Sequence, residues 1–164
     1  MSALRQSLII KILIWVPVIL MAGTIFGFSK QNGEESSGIS GKVASVIIDA
    51  AHDLGIVEVD DDNRAKLIDQ LQTPIRKCAH MTEYAILAIL IFTALNVDGL
   101  FTGYCWGTAW LFATIFAISD EIHQLFVPGR SGKVTDVLID SIGCIVGLII
   151  LSLVRRLNKI KDGK

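Results

Sequence analysis

The chain lacks a surplus of charge: 15 Lys and Arg stand against 16 Asp and Glu, a formal net charge of −1. Nucleic-acid binders carry a basic stripe, so that partner class is set aside. Balanced charge says little about fold. Cysteine is scarce and odd in number, three in 164 residues. Cys78, Cys105 and Cys144 lie scattered within or beside apolar runs, with no disulfide framework or zinc spacing. They read as packing residues, since a free cysteine behaves as a small hydrophobe. There is no HExxH-type signature, and Ser119 and Ser131 sit in no nucleophile-elbow motif despite the histidine nearby.

Charge is also nearly missing from four long stretches, and that scarcity is the main architectural signal. Hydrophobic residues make up 52% of the chain, yet the charged ones crowd into residues 29–79 and the C-terminal tail. This segregation predicts an all-α integral membrane bundle rather than a soluble domain. Four transmembrane helices are expected, at about 8–28, 79–97, 100–119 and 137–154, each near the roughly 20 apolar residues that a crossing needs. The first, flanked by Arg5 and Lys11, is read as a retained helix. Its apolar run is too long for a signal-peptide core, and no clean small-x-small cleavage site follows. Asn96, Asp98 and Gly99 make the turn of a tight hairpin between the second and third spans.

The basic residues set the orientation. Arg5 and Lys11 mark one end of the chain, and Arg155, Arg156, Lys159, Lys161 and Lys164 mark the other. With an even number of spans both termini share one side, and the positive-inside rule makes that side the cytoplasm. Residues 29–79 and 120–136 then face outward. The organisation is a first transmembrane helix (1–28), an extracytoplasmic linker with amphipathic helices (29–73), a three-helix core (74–154) and a basic cytoplasmic tail (155–164).

Within the insertion, Gly33 to Gly41 reads as a flexible Ser/Gly/Glu linker. Val43, Val46, Ile47, Ala50 and Leu54 recur at helical spacing, as do Leu67, Ile68 and Leu71 after the acidic helix start Asp60-Asp61-Asp62. Thr73-Pro74 reads as an N-cap and first-turn proline opening the second span. The amphipathic helices suit the outer interface or a cap over the bundle. Gly103/Gly107 and Gly143/Gly147 are small-xxx-small pairs of the kind that lets helix backbones approach.

The threading gathers polar groups at one face. Lys77, His80 and Glu83-Tyr84 share a helical stripe, with Glu83 about 9 Å below Lys77 by helix rise. Asp120, His123 and Gln124 form another stripe, with Glu121 beside it. Pro128-Gly129 fits the middle of a type II turn, which throws Arg130 back toward the carboxylates. A guanidinium there suits a carboxylate or a phosphate, or it neutralises Asp120, Glu121 or Asp136. Asp136 fits the positive end of a helix start, and Asp140 lies one turn deeper and needs a partner.

Three chemistries stay open at such a cluster. His80-x-x-Glu83 and Asp120-x-x-His123 are carboxylate/imidazole pairs that helix bundles use for metals, although the reading adopted here assigns no metal ligand. A metal-free acid/base site would use Glu83, Asp120, Glu121 and His80 as catalytic groups, with Lys77, Tyr84, Gln124, Arg130 and Asp136 binding the ligand. The third reading is helix packing alone. No cofactor is identifiable.

At Lys77, His80, Glu83-Tyr84, Asp120-Glu121, Gln124, Phe126, Pro128-Gly129-Arg130, Asp136, Gly143 and Gly147 the chain resembles the VanZ-like family of small bacterial membrane proteins. The resemblance covers about residues 74–154, and the first span also fits a usual member. Asp140 departs from the pattern, standing where members often carry asparagine, and His123 occupies a variable position. The resemblance implies a multi-pass protein of the bacterial cell membrane, with a cell-envelope role and a link to teicoplanin, a lipid-tailed glycopeptide antibiotic. Its expected partners are membrane lipids and a lipid-linked cell-wall precursor or lipoglycopeptide.

Three functions follow from these readings. One is an envelope protein whose outward polar pocket binds an anionic lipid-linked or lipopeptide ligand. Another is a membrane-embedded hydrolase or transferase acting on a lipid-phosphate headgroup. The last is a structural or assembly partner in the envelope.

Overall fold

The structure, a computed structural model, describes residues 2–31, 33–97 and 102–162. It is all-α, with five helices: α1 (Ser2–Ser29), α2 (Gly33–Asp53), α3 (Asp61–Val97), α4 (Thr102–Gln124) and α5 (Val134–Asp162). Three contain stretches long and apolar enough to cross a bilayer, Ile9–Ser29, Asp62–Val97 and Val134–Lys161. The expected third span coincides with α4. This helix is not among the three. Leu100 and Phe101 of that span, with Asp98 and Gly99 of the expected turn, lie outside the described residues.

The centre of the fold is α3, which packs against each of the other four helices. Its closest partner is α5, through the second glycine pair. A Cβ at Gly143 would collide with the Met81 carbonyl, and one at Gly147 would lie 2.6 Å from the Ala85 carbonyl. Only glycine lets the two backbones approach this closely. The first glycine pair is not used in this way, since Gly107 faces open space. The buried edge of α4 is instead Cys105, Ala109, Ala113 and Ala117, one small residue per turn. Trp110 Nε1 and Thr114 Oγ1 bond Ser141 Oγ of α5 at 3.0 and 3.2 Å. Cys105 and Cys144 are buried in the packing, whereas Cys78 is exposed; none of the three is in a disulfide.

The accessory region is ordered differently from the sequence expectation. The segment Gly33–Gly41 is no linker but the opening turns of α2. Ser36, Ser40, Ala44 and Ile48 recur every four residues and are buried. Ser40 Oγ donates to the Ser36 carbonyl at 2.9 Å, so the helix satisfies its own hydroxyl. This buried stripe turns the expected one outward: Val43, Val46, Ile47 and Leu54 are exposed. Small residues win the inner face because α2 lies close along α3, with Gly41 against Gln72 and Ile68.

Nor does the second span begin at Thr73-Pro74. Pro74 lies inside α3, which runs unbroken from the amphipathic segment into the apolar one. The start is at Asp60, where the Asn63 N–H donates to Asp60 Oδ1 (2.8 Å) and the Asp60 N–H to Asn63 Oδ1 (3.1 Å). This reciprocal capping is the stronger start signal. Pro74 then forfeits one backbone bond in a stretch that α2 supports from the side. A Schellman closure ends α2, with Gly55 at φ 68° and bonds Gly55 N to His52 O and Ile56 N to Ala51 O, both 2.9 Å.

Large apolar side chains point outward from α1, α4 and α5, among them Ile19, Leu20, Phe112, Ile115, Ile150 and Leu153. Such a continuous apolar exterior suits lipid. At one end of the bundle Arg155 donates to Asn96 Oδ1 at 2.9 Å and lies 5.1 Å from the Phe92 ring centroid, tying α5 to the end of α3. The opposite end carries the polar cluster.

Candidate functional site

At the polar end, the last turns of α1 and α4 meet the middle of α3 and the first turns of α5. The loop from α4 to α5 closes the corner. Val127-Pro128-Gly129-Arg130 is the expected type II turn, with Gly129 at φ 75° and the Arg130 N–H donating to the Val127 carbonyl at 3.1 Å. A Cβ at Gly132 would collide with the Glu121 carbonyl, so the loop lies flat on α4. The Lys133 N–H donates to Glu121 Oε2 at 2.8 Å.

These pieces enclose a polar cavity of about 230 Å³. From the expected site it gathers Lys77, His80, Glu121, Gln124, Arg130 and Asp136, and it adds Thr73, Arg76, Ser131, Lys133 and Asp140. A second, apolar cavity of about 180 Å³ lies between α2 and α3. Glu83 lines that one, and Arg76, His80 and Arg130 form a wall common to both. Asp120 and Tyr84 line neither cavity.

Most of the carboxylates are already engaged. Asp136 accepts from Lys77 Nζ at 2.9 Å, an ion pair between α3 and α5, with the two side chains about one-third exposed. Glu121 holds the loop amide. Asp120, 1% exposed, accepts from Ser29 Oγ at 2.7 Å and from Gln124 Nε2 at 3.1 Å, and Gln124 Nε2 also reaches Ser29 Oγ at 3.0 Å. This clasp fastens the end of α1 to the end of α4. The Nδ1 atom of His80 lies 3.5 Å from Glu83 Oε2.

The guanidiniums are different. Among the described residues, neither Arg76 nor Arg130 has a carboxylate within ion-pairing distance or a side-chain hydrogen bond, although both are half-buried in the cavity wall. Burial, reinforced by the charge of Arg76, pulls the Arg130 guanidinium below its ordinary pKa. It remains a cation all the same. Asp120, Glu121 and Glu83 act on Arg130 only from beyond ion-pairing distance, and two like charges held side by side are an arrangement that an anion relieves. Arg130 makes no close ion pair with Asp120, Glu121 or Asp136, each of which has another hydrogen-bond partner, although the charges of Asp120 and Glu121 still favour its cationic form.

Several buried polar atoms lack a hydrogen-bond partner: His80 Nδ1, Asp140 Oδ1, Asp120 Oδ1, Tyr84 Oη and His123 Nε2. Of these residues His80 and Asp140 line the polar cavity. Tyr84 lies fully buried in the core with its ring 6.3 Å from Phe116, and His123 stacks against Phe26 at 4.9 Å. Among the described residues no three His, Cys, Asp or Glu side chains are placed to hold a metal ion.

Sequence reasoning missed Arg76, Ser29 and Lys133. Arg76 precedes Lys77 and continues the spacing Thr73, Arg76, His80, so the helical stripe itself carried the signal. Ser29 closes the first apolar run, and nothing local distinguishes it. The backbone amide of Lys133 has no sequence signature at all.

Comparison with known proteins matches the chain to a family. The sequence model of the VanZ/LLP1 family fits residues 14–155. This extends well beyond the motif-bearing stretch and takes in the first apolar helix and α2. No curated protein and no solved structure matches the chain.

Proposed function

The chain belongs to the VanZ/LLP1 family, and from that premise we propose that it is a cell-envelope membrane protein whose polar cavity binds the anionic group of a lipid-linked or lipopeptide molecule. The observation that carries this reading is the pair Arg76 and Arg130, two half-buried guanidiniums that face one cavity and that, among the described residues, make no close ion pair. Guanidinium forks match phosphate and carboxylate oxygens in a bidentate way. The Lys77–Asp136 ion pair and the Glu121–Lys133 bond hold the walls in place, so the backbone segments that carry the two arginines are set before an anion arrives.

In this reading α4 is the fourth crossing. The basic ends of α1 and α5 lie in the cytoplasm and the cavity opens outward. The ligand is then a component of the outer leaflet or a molecule arriving from outside, such as a lipid-linked cell-wall precursor or a lipoglycopeptide. For teicoplanin resistance the expected outcome is a raised tolerated concentration of a lipid-tailed glycopeptide in cells that express the chain. A glycopeptide without the tail is affected less, and Arg130→Gln abolishes the difference. Equal tolerance with and without expression would remove the teicoplanin link.

Binding is tested on the purified chain in detergent, titrated with a soluble anion such as inorganic phosphate. Arg76→Gln and Arg130→Gln are each expected to weaken binding at least about tenfold, the usual scale for a charge-assisted bond. Their thermal unfolding should stay near that of the parent. Unchanged affinity in both variants would refute the anion site.

Asp140 favours a second reading, a hydrolase or transferase acting on a lipid phosphate. Its carboxyl is 2% exposed, its Oδ1 has no partner, and it shares the cavity wall with His80 and Glu121. Release of phosphate from a lipid-phosphate probe, lost in Asp140→Asn and Glu121→Gln while binding persists, would establish turnover. No release with any such probe leaves a binder.

A further inference from the structure

We infer that the apolar cavity between α2 and α3 is a chain subsite, which takes the first carbons of the hydrocarbon tail of the same molecule whose anionic head faces Arg76 and Arg130. The inference rests on the anion-binding reading and adds where the tail goes and what selects it. The two cavities share Arg76, His80 and Arg130 as a common wall. One side of that wall is polar. The other is formed by Phe28, Ile39, Val43, Ile75 and Ala79. A ligand that satisfies both sides is charged at one end and apolar at the other, and a small hydrophilic anion would leave the second cavity unfilled.

The lining supports this assignment. Ser36 and Ser40 also reach this cavity, and the Ser40 hydroxyl is already spent on the Ser36 carbonyl. The one acid there, Glu83, lies 3.5 Å from His80, next to the common wall. At about 180 Å³ the space is close to the roughly 150 Å³ of an apolar cavity that holds benzene. It therefore admits roughly six carbons, and the rest of a longer chain would leave between α2 and α3 toward lipid. The helix α2, packed by small residues and serines along α3, forms the outer wall and acts as the element that reads the chain.

The test compares inorganic phosphate with hexyl phosphate on the full chain in detergent. Hexyl phosphate is expected to bind at least about tenfold tighter, the gain from burying two or three methylenes. In Val43→Trp, which fills the cavity from a half-exposed position, that advantage disappears while phosphate affinity holds. Ile39→Ala with Val43→Ala, which removes lining without adding bulk, reduces the advantage and serves if the tryptophan variant misfolds. If phosphate binds and the hexyl chain adds nothing, or if the chain gain survives both variants, the subsite is overturned and the anion site stands. If neither probe binds, the anion reading fails and takes this inference with it.

Discussion

Glycine and serine carry much of the structural consequence at the residue scale. At Gly143 and Gly147 the backbones of α3 and α5 leave no room for a Cβ. Gly147→Val should push these helices apart and cost about 1–3 kcal/mol, the range for overpacking a tight contact. Gly107→Ala, into open space, should be neutral or slightly stabilising. Thermal unfolding in detergent, run on both, separates them; equal midpoints would refute the close-contact account. Ser29→Ala leaves the buried Asp120 with Gln124 as its remaining donor and should cost about 1–3 kcal/mol, since removing one partner exposes the desolvation cost of the other. A midpoint unchanged from the parent would show that the clasp contributes nothing.

At the scale of elements, the α2–α3 hairpin is held by buried small residues and by an exposed tie. Arg64 Nη2 meets Asp49 Oδ1 at 2.7 Å and also bonds Ser45 Oγ at 2.9 Å. The hydrogen bond from Arg64 holds the Asp49 carboxyl below its ordinary pKa. A depressed acid stabilises the fold above its unfolded-state pKa of about 3.8, and that contribution is lost as pH falls through the lowered value. Amide exchange in α2 should therefore quicken as pH drops below about 4 relative to the intrinsic rate. In Asp49→Asn this acid-dependent component should vanish, and the residual tie should be modest, because exposed ion pairs are weak and screened by salt. Identical acid profiles in parent and variant would dissociate the tie from α2.

The hairpin also shows what could be read in advance. The acidic start at Asp60 and the stripe Leu67, Ile68, Leu71 were legible, because caps and helical periodicity are local properties. The buried stripe of α2 was not read, because Val43, Val46 and Ile47 outscore Ser36, Ser40 and Ala44 in hydrophobicity. Close helix approach rewards small size instead, and small size becomes decisive only once the neighbouring helix is known. Pro74 misled for the same reason: a local helix-start signal was overridden by tertiary support from α2. The turn at Pro128-Gly129 was fully legible, since its positive φ needs glycine.

For the whole molecule, hairpin threading alone led to the expectation that the helix ends meet; Lys77, His80, Glu121, Gln124, Arg130 and Asp136 line one cavity, and Glu83, Tyr84 and Asp120 do not. Partner choice within the cluster was not legible, because it depends on distances between helices far apart in sequence. Four crossings with cytoplasmic ends predict opposite labelling of the two ends of the bundle. In a Cys78→Ser background, an impermeant thiol reagent applied to intact cells should modify Lys133→Cys and leave Lys159→Cys untouched until the membrane is opened. Modification of both from outside would overturn that threading.

The Ser29 hydroxyl and the Asp120 carboxylate that it binds are 91 positions apart. During synthesis the leading helix enters the bilayer long before its polar tether exists, and it can rest only on whatever neighbour emerges next. The latch therefore closes late, after the penultimate helix has arrived. A nascent chain halted before that point would hold its first segment by greasy contacts alone, free to swivel.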